Sequence, residues 1–203
     1  MPLSKQDRDR IAAAIRQAEA NTSGQIVCVL ARAASNYAFV PIIWASLLAL
    51  ATPWLLIAFT TISVERIYLA QLAVFAVAVA LLSIPRLRML LVPRHLQRLH
   101  AHHAALEQFM ARGLTHTRGR SGVLIFVSLA ERYVRIIADE GIATRVPQSV
   151  WQEAVHLLLA EMRHGRIAEG FAEAIAACGR VLAAHFPPRD EGANELPDRI
   201  YVM

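Results

Sequence analysis

The chain has 203 residues, of which 56% are hydrophobic, and its mean hydropathy of +0.39 exceeds that of an ordinary soluble domain. The net charge of +5 at pH 7 is modest, and the two cysteines, Cys28 and Cys178, lie far apart in apolar stretches, which excludes a disulfide framework. Charged residues from Asp7 to Arg10 interrupt any apolar run near the start, so no secretion signal is expected. This composition favours a membrane protein with one modest polar domain.

The first 36 residues predict a helix followed by a strand. Residues 4–20 have the apolar spacing of an amphipathic helix, and Ser4 with Asp7 resembles a capping box. The acids Asp7 and Asp9 are interpreted as first-turn acids of that helix rather than as metal ligands. Residues 25–30 are apolar and β-branched, which predicts a short buried strand.

Two long uncharged stretches predict a helical hairpin that crosses a membrane twice. Residues 38–60 and 67–84 reach the length of about 18 apolar residues that a spanning helix needs, and only Glu65 and Arg66 carry charge between them. Neither stretch contains an ionisable side chain, which argues against a channel or transporter. Interfacial aromatic residues and juxtamembrane arginines are the expected anchors: Tyr37, Trp44, Trp54, Tyr68, Arg86 and Arg88.

The charges that flank the hairpin predict its orientation. Four arginines follow the second span, whereas the loop between the spans holds a single arginine. The positive-inside rule therefore places the N- and C-terminal parts in the cytoplasm, on the inner membrane. Arginines at the surface also bind anionic headgroups, so the lipid bilayer is an expected partner and nucleic acid is not.

Residues 93–113 predict a further helix that is rich in histidine. His100, His103 and Glu107 would share one face, which is the spacing of a metal site. The preferred interpretation is a polar face near lipid headgroups, because no second cluster of ligands supports a metal.

The segment from Ser121 to Ile137 predicts an antiparallel strand pair, and helices are expected at residues 148–164 and 167–185. The second strand leads directly into Asp139, Glu140 and Gly141. Two acids and a glycine that follow a strand are typical of the loops in which open sheets place their sites. Asp139 and Glu140 are thus the candidate functional residues, with the alternative that Asp139 caps the following turn. Cys28 and Cys178 are interpreted as core residues rather than nucleophiles.

Several short motifs resemble the TPM-domain family, and their order covers nearly the whole polar part of the chain. One departure is that Gln25 stands where the family often has a glutamate after Thr-Ser-Gly. The motifs are: Thr22-Ser23-Gly24, Gly122 to Ser128, Glu131-Arg132, Asp139-x-Gly141-Ile142, Trp151, His185-Phe186-Pro187 and Asn194-Glu195-Leu196-Pro197.

The resemblance implies an α/β fold, a three-layer α/β/α sandwich with a small central mixed sheet. The expected organisation is a first part of the TPM-like domain at residues 1–36, the transmembrane hairpin at 37–92 and the remainder of the domain at 93–203. The hairpin would then be inserted after the first strand of the domain. The tail after Phe186 is proline-rich and polar and is expected to pack irregularly.

The resemblance also implies two alternative functions. The family includes bacterial membrane proteins, a photosystem-repair factor and a receptor modulator, which suggests a membrane-anchored interaction or assembly factor for other membrane proteins. It also includes proteins described as acid phosphatases or associated with calcium, which suggests a metal-assisted phosphatase-like hydrolase. In that case Asp139 and Glu140 would be the catalytic and metal-binding candidates, with a divalent cation such as calcium. The interaction role is preferred, because the sequence has no glycine-rich phosphate loop and no paired metal motif.

Overall fold

The computed structural model describes residues 3–117, 119–188 and 196–203, without the side chain of Arg86. The chain divides into two compact units. Unit 1 comprises Met1–Ala34 and Leu99–Met203, and unit 2 comprises Ser35–Arg98. In chain order the elements are α1 (Lys5–Glu19), β1 (Gln25–Ala31), α2 (Phe39–Phe59), α3 (Val64–Leu82), α4 (Pro85–Leu91), α5 (Arg94–Ala111), β2 (Gly122–Ser128), β3 (Tyr133–Ala138), α6 (Glu140–Ala143), α7 (Trp151–Arg163), α8 (Ile167–His185) and β4 (Ile200–Val202).

Unit 1 is built on a four-stranded mixed sheet in the order β3-β2-β1-β4. Strand β1 is parallel to both of its neighbours, and β3 is antiparallel to β2. Side chains along β1 alternate between two apolar cores, as the two-residue period of a strand requires. The sheet is therefore covered on both faces, and every residue of β1 and β2 is buried.

Helices cover the two faces of this sheet unequally. The larger core lies between the sheet and α1, α7 and α8, and includes the buried residues Ile11, Trp151 and Phe171. The smaller core on the other face receives Ala105 and Phe109 from α5. The predicted three-layer α/β/α sandwich with a mixed central sheet is confirmed.

Unit 2 contains two helices that are long and apolar enough to cross a membrane. Helices α2 and α3 have mean hydropathies of 2.1 and 1.8, and only 11% and 6% of their most apolar windows are buried. Small side chains such as Ala45 and Ala49 face the contact between the two helices, which lets the backbones approach closely. The predicted hairpin insertion is consistent with this arrangement.

The predicted anchor residues differ in their exposure within unit 2. Trp54 and Tyr68 are well exposed, at 82% and 61%, and Trp44 is exposed at 43%. Tyr37 is instead buried in a small apolar cluster with Val40 and Val92, and its role as an interfacial anchor stays a prediction. Arg88 is half-buried, and the side chain of Arg86 lies outside the described part of the chain.

The helix α4 and the strand β4 were not predicted from the sequence. The stretch Pro85–Leu91 forms the short helix α4, whereas the arginines there were interpreted only as a flank of the second span. The tail ends in strand β4, which pairs Ile200 with Cys28. A three-residue strand is too short to produce an alternating pattern, and its partner lies far away in the sequence.

Candidate functional site

Asp139 lies at the amino edge of the sheet, defined as the edge where the parallel strands β1 and β2 begin. Because β3 is antiparallel to β2, its end meets the start of β2, and the Asp139 N–H donates to the Gly122 carbonyl at 2.9 Å. The strand-end rule for binding sites concerns the carboxyl ends of parallel strands. That rule therefore does not apply to Asp139 and Glu140, because they lie at the opposite edge of the sheet.

The Asp139 carboxylate is buried and engaged in two structural contacts. It is 4% exposed, and the Arg120 guanidinium lies 3.3 Å from each of its oxygens. Its Oδ1 also accepts from the Glu140 N–H at 2.7 Å, which makes Asp139 the N-cap of α6. Capping of the following turn, the alternative considered from sequence, is observed.

Arg120 connects both acids of this loop. Its Nη2 lies 3.2 Å from Oε2 of Glu140, whose side chain is 74% exposed. Hydrogen bonding to Asp139 raises the pKa of the Arg120 guanidinium, and the charges of Asp139 and Glu140 act in the same direction. Gly141 permits this arrangement, because a Cβ there would lie only 2.6 Å from the Arg120 carbonyl oxygen.

Further family-like motifs, around Thr22, Phe186 and Leu196, meet at the same amino edge. The Thr22 hydroxyl donates to the Phe186 carbonyl at 2.6 Å and accepts from the Gly24 N–H at 3.1 Å. The Gln25 side chain accepts from the Leu196 N–H at 3.1 Å, which ties the tail to β1. Gln25 is buried, so the residue that replaces the family's usual acid has a structural contact here. Asn194 and Glu195 lie outside the described residues.

Glu131 lies instead at the carboxyl edge, where β1 and β2 end. Its two carboxylate oxygens accept from the Ala34 N–H at 3.0 and 3.1 Å, and the Ser128 hydroxyl donates to it. The side chain is 8% exposed. Glu131 thus joins the turn after β2 to the segment that follows β1, just before the chain leaves unit 1.

The two candidate acids are poorly arranged for a divalent cation. A calcium ion takes about six to eight oxygen ligands, and here the Arg120 guanidinium already lies between the two carboxylates. Among the described residues, no group of three or more His, Cys, Asp or Glu side chains is placed to hold a metal. The geometry favours a structural ion pair, and the catalytic and metal-binding roles of Asp139 and Glu140 stay predictions.

His102, on α5, lies near the charge of Arg135. The rings of His102 and His103 are 6.1 Å apart, and partial burial lowers the pKa of His102, assisted by the charges of Arg135 and His103. A lowered pKa keeps the His102 ring neutral near pH 7.

A second acid with an unusual environment is Glu19, at the end of α1. Its Oε1 accepts from the Ile26 N–H at 2.6 Å, so it joins the end of α1 to the start of β1. Burial raises the pKa of this carboxyl to about 8; the Ile26 N–H opposes the shift and the nearby Asp198 adds to it. Glu19 was not identified from the sequence, because an acid near a helix end resembles any exposed polar side chain.

Arg120, the partner of Asp139, was not identified from the sequence either. The register of the hairpin could have identified Arg120, because it pairs Val123 with Ala138. Extending that register outward places Arg120 beside the loop at Asp139. The strand pair was predicted correctly, but its register was not extended beyond the strands.

The contact between Asp139 and Arg120 predicts that Asp139→Asn destabilises unit 1. We expect a loss of about 1–2 kcal/mol in the free energy of unfolding, because a buried charge-assisted contact is removed while the cap is retained. Glu140→Gln is the matched control, with an expected effect below about 0.5 kcal/mol because the side chain is exposed. Urea unfolding of the full chain in detergent measures both, and equal effects would contradict the assignment.

The raised pKa of Glu19 predicts a pH-dependent effect of Glu19→Gln. Between about pH 4.5 and 8 the folded protein keeps a proton that the unfolded chain has lost, so wild-type stability falls as pH rises through this interval. The substitution removes that penalty and should stabilise the protein by about 1–3 kcal/mol at pH 9 but not at pH 4. Thermal or urea unfolding at several pH values tests this. Glu153→Gln, at a side chain that is 73% exposed, should show no such dependence.

Part of this chain is similar to a known domain family. Residues 85–181 match the family model of the TPM domain. No curated protein matches. A similar fold occurs in the NMR structure of the BA42 protein from the psychrophilic bacterium Bizionia argentinensis, with a TM-score of 0.62, 20% sequence identity, and coverage of 100% of this chain and 97% of that one. The matched segment contains the β2–β3 hairpin, Arg120 and Asp139, so residues 85–181 of this chain are similar to the TPM domain.

Proposed function

We propose that this protein is a membrane-anchored interaction module. Its hairpin would hold the TPM domain at the inner membrane, where the domain binds other membrane proteins and supports their assembly or maintenance. The observation that carries the proposal is the pair of exposed apolar helices, α2 and α3, between β1 and the remaining strands of the domain. A domain interrupted by such helices stays at the bilayer permanently.

The contacts of the candidate acids support binding over catalysis. Asp139 is paired with Arg120 and caps α6, and Glu131 binds the backbone of Ala34. A phosphatase needs a free nucleophile or a metal-bound water, together with cations that hold the phosphate. The only cation described beside Asp139 and Glu140 is Arg120, which neutralises those acids.

The interaction role predicts a specific membrane-protein partner and no phosphatase activity. Tagged full-length protein, purified in mild detergent from its own membrane, should recover the same membrane protein at a constant ratio in independent preparations. An unrelated two-pass protein expressed at the same level is the control. The same sample should not hydrolyse a generic phosphomonoester, with or without divalent cations. Turnover that Asp139→Asn abolishes would overturn the proposal in favour of the hydrolase.

The arginine-rich flank predicts that both ends of the chain are cytoplasmic. A reporter fused after Met203 should be active only if it is of the kind that functions in the cytoplasm. Replacing Arg88, Arg94 and Arg98 with glutamine should reduce this bias, because these charges set the orientation. Activity only of a reporter that functions outside the cytoplasm would contradict the proposed topology.

A further inference from the structure

Among the residues that the structure describes, no strand pairs with the outer edge of β4. Strand β4 is the last in the sheet order and pairs with β1. The Met203 N–H donates to the Leu30 carbonyl, and the Met203 carbonyl accepts from the Arg32 N–H, both at 2.9 Å. Because backbone direction alternates along a strand, the N–H and C=O groups of Ile200 and Val202 point away from β1.

This edge forms the floor of an open cleft of about 620 Å³. One wall is the first half of α1, with Arg8 and Ala12, and the opposite wall includes Arg112, which follows α5. Residues 198–202 line the floor. The cleft therefore runs along the edge strand between the two helical layers of unit 1.

Three arginines give the cleft a positive charge. The Arg112 guanidinium lies 3.7 Å from the ring centroid of Tyr201, and that of Arg199 lies 4.8 Å from the same ring. The third, Arg8, donates to the Leu3 carbonyl at 3.2 Å. In the part of the chain that the structure describes, none of the three forms an ion pair with a carboxylate.

The acids of the cleft offset this charge only in part. Asp9 and Asp198 also line it, and Asp198 lies close to Glu19. Guanidiniums bind carboxylates through paired hydrogen bonds, and those that stack on a tyrosine are held in position to do so.

We propose that the outer edge of β4 binds an extended acidic segment of a partner protein, which adds to the sheet as a fifth strand. The backbone of Ile200 and Val202 would form the ladder, and Arg8, Arg112 and Arg199 would bind the carboxylates of the segment. This inference deepens the proposed interaction role by naming the surface and the chemistry of its partner.

The shape of the cleft favours a peptide over other anions. A small phosphate would contact the guanidiniums but leave the backbone groups of Ile200 and Val202 unpaired. A flat lipid surface cannot form hydrogen bonds with a strand edge between two helical layers. Basic side chains also prevent a sheet edge from pairing with a second copy of the same chain, which is the competing explanation.

The test uses the full chain in nanodiscs of neutral lipid and a fluorescein-labelled peptide of alternating glutamate and valine. Fluorescence anisotropy should show saturable binding. Arg112→Gln and Arg199→Gln should each weaken it about tenfold, as expected for the loss of one charge pair in a cleft. Arg163→Gln removes the same charge from the exposed surface of α7 and should leave binding unchanged.

Strand addition itself is tested from both sides of the ladder. Val202→Pro removes an outward N–H without removing a bond to β1, and should abolish binding. A probe peptide that is N-methylated at alternate residues should also fail to bind, and this arm needs no change in the protein. A peptide with glutamine in place of glutamate should bind at least about tenfold more weakly.

Several outcomes would overturn the proposal. Equal weakening by Arg163→Gln would indicate general electrostatic attraction. Full binding by Val202→Pro or of the N-methylated peptide would exclude strand addition. Displacement of the peptide by inorganic phosphate or anionic vesicles, in a way that Arg112→Gln changes and Val202→Pro does not, would indicate a simple anion site. If no probe binds, the proposal fails, and protection of the strand edge is the remaining role of the arginines.

The two proposals can fail separately. If Arg112→Gln with Arg199→Gln still recovers the membrane partner at the wild-type ratio, the interaction role stands and the β4 cleft is not its surface. If the acidic peptide binds as expected but no membrane partner is recovered, the cleft stands and the proposed membrane role fails.

Discussion

The parallel pairing of β1 with β2 is the constraint on which this domain depends. Residues Gln25–Ala31 pair along their whole length with Gly122–Ser128, although all of unit 2 lies between them in the chain. Both strands are buried on both faces, so neither can leave the sheet without exposing two apolar cores. Pairing two strands that are so far apart in the sequence costs chain entropy, and the burial of both strands on both faces offsets this cost. A hairpin of membrane-spanning length can therefore be inserted after β1 without dividing the domain.

Most of the family-like motifs stabilise the junctions around this pairing. At the amino edge, Thr22 binds the end of α8, Gln25 binds the tail, and Asp139 binds the turn before β2. At the carboxyl edge, Glu131 binds the segment that follows β1. These are buried polar groups, and each must find a partner because unpaired burial is costly. Their contacts give a structural reason for these residue types in this chain.

The two edge strands of the sheet, β3 and β4, differ in how they are connected and covered. Strand β3 is joined to β2 by a short turn that includes Arg132 with a positive φ of 50°. Strand β4 reaches its place only after the last helix and the tail, and its outer side remains open beside α1 and Arg112. An open strand edge needs either protection or a partner. Arg8, Arg112 and Arg199 line this edge, where they can serve either purpose.

The sequence by itself determined the elements whose signals are local. Long apolar stretches without charge predicted α2 and α3. Apolar residues at helical spacing predicted α1, α7 and α8, and short runs of β-branched residues predicted β1 to β3. The resemblance of short motifs predicted the layered fold and the TPM domain, whose family model matches residues 85–181. The capping box of Ser4 and Asp7 was also predicted correctly, because its residues are neighbours on one turn.

Only the tertiary structure decided the contacts between distant segments. It placed Asp139 at the amino edge beside Arg120, buried Tyr37, raised the pKa of Glu19 and added β4 to the sheet. Each of these depends on strand direction, register or desolvation by residues far away in the chain. Local patterns carry no information about such distances, since burial and pairing arise only when the remote segments meet.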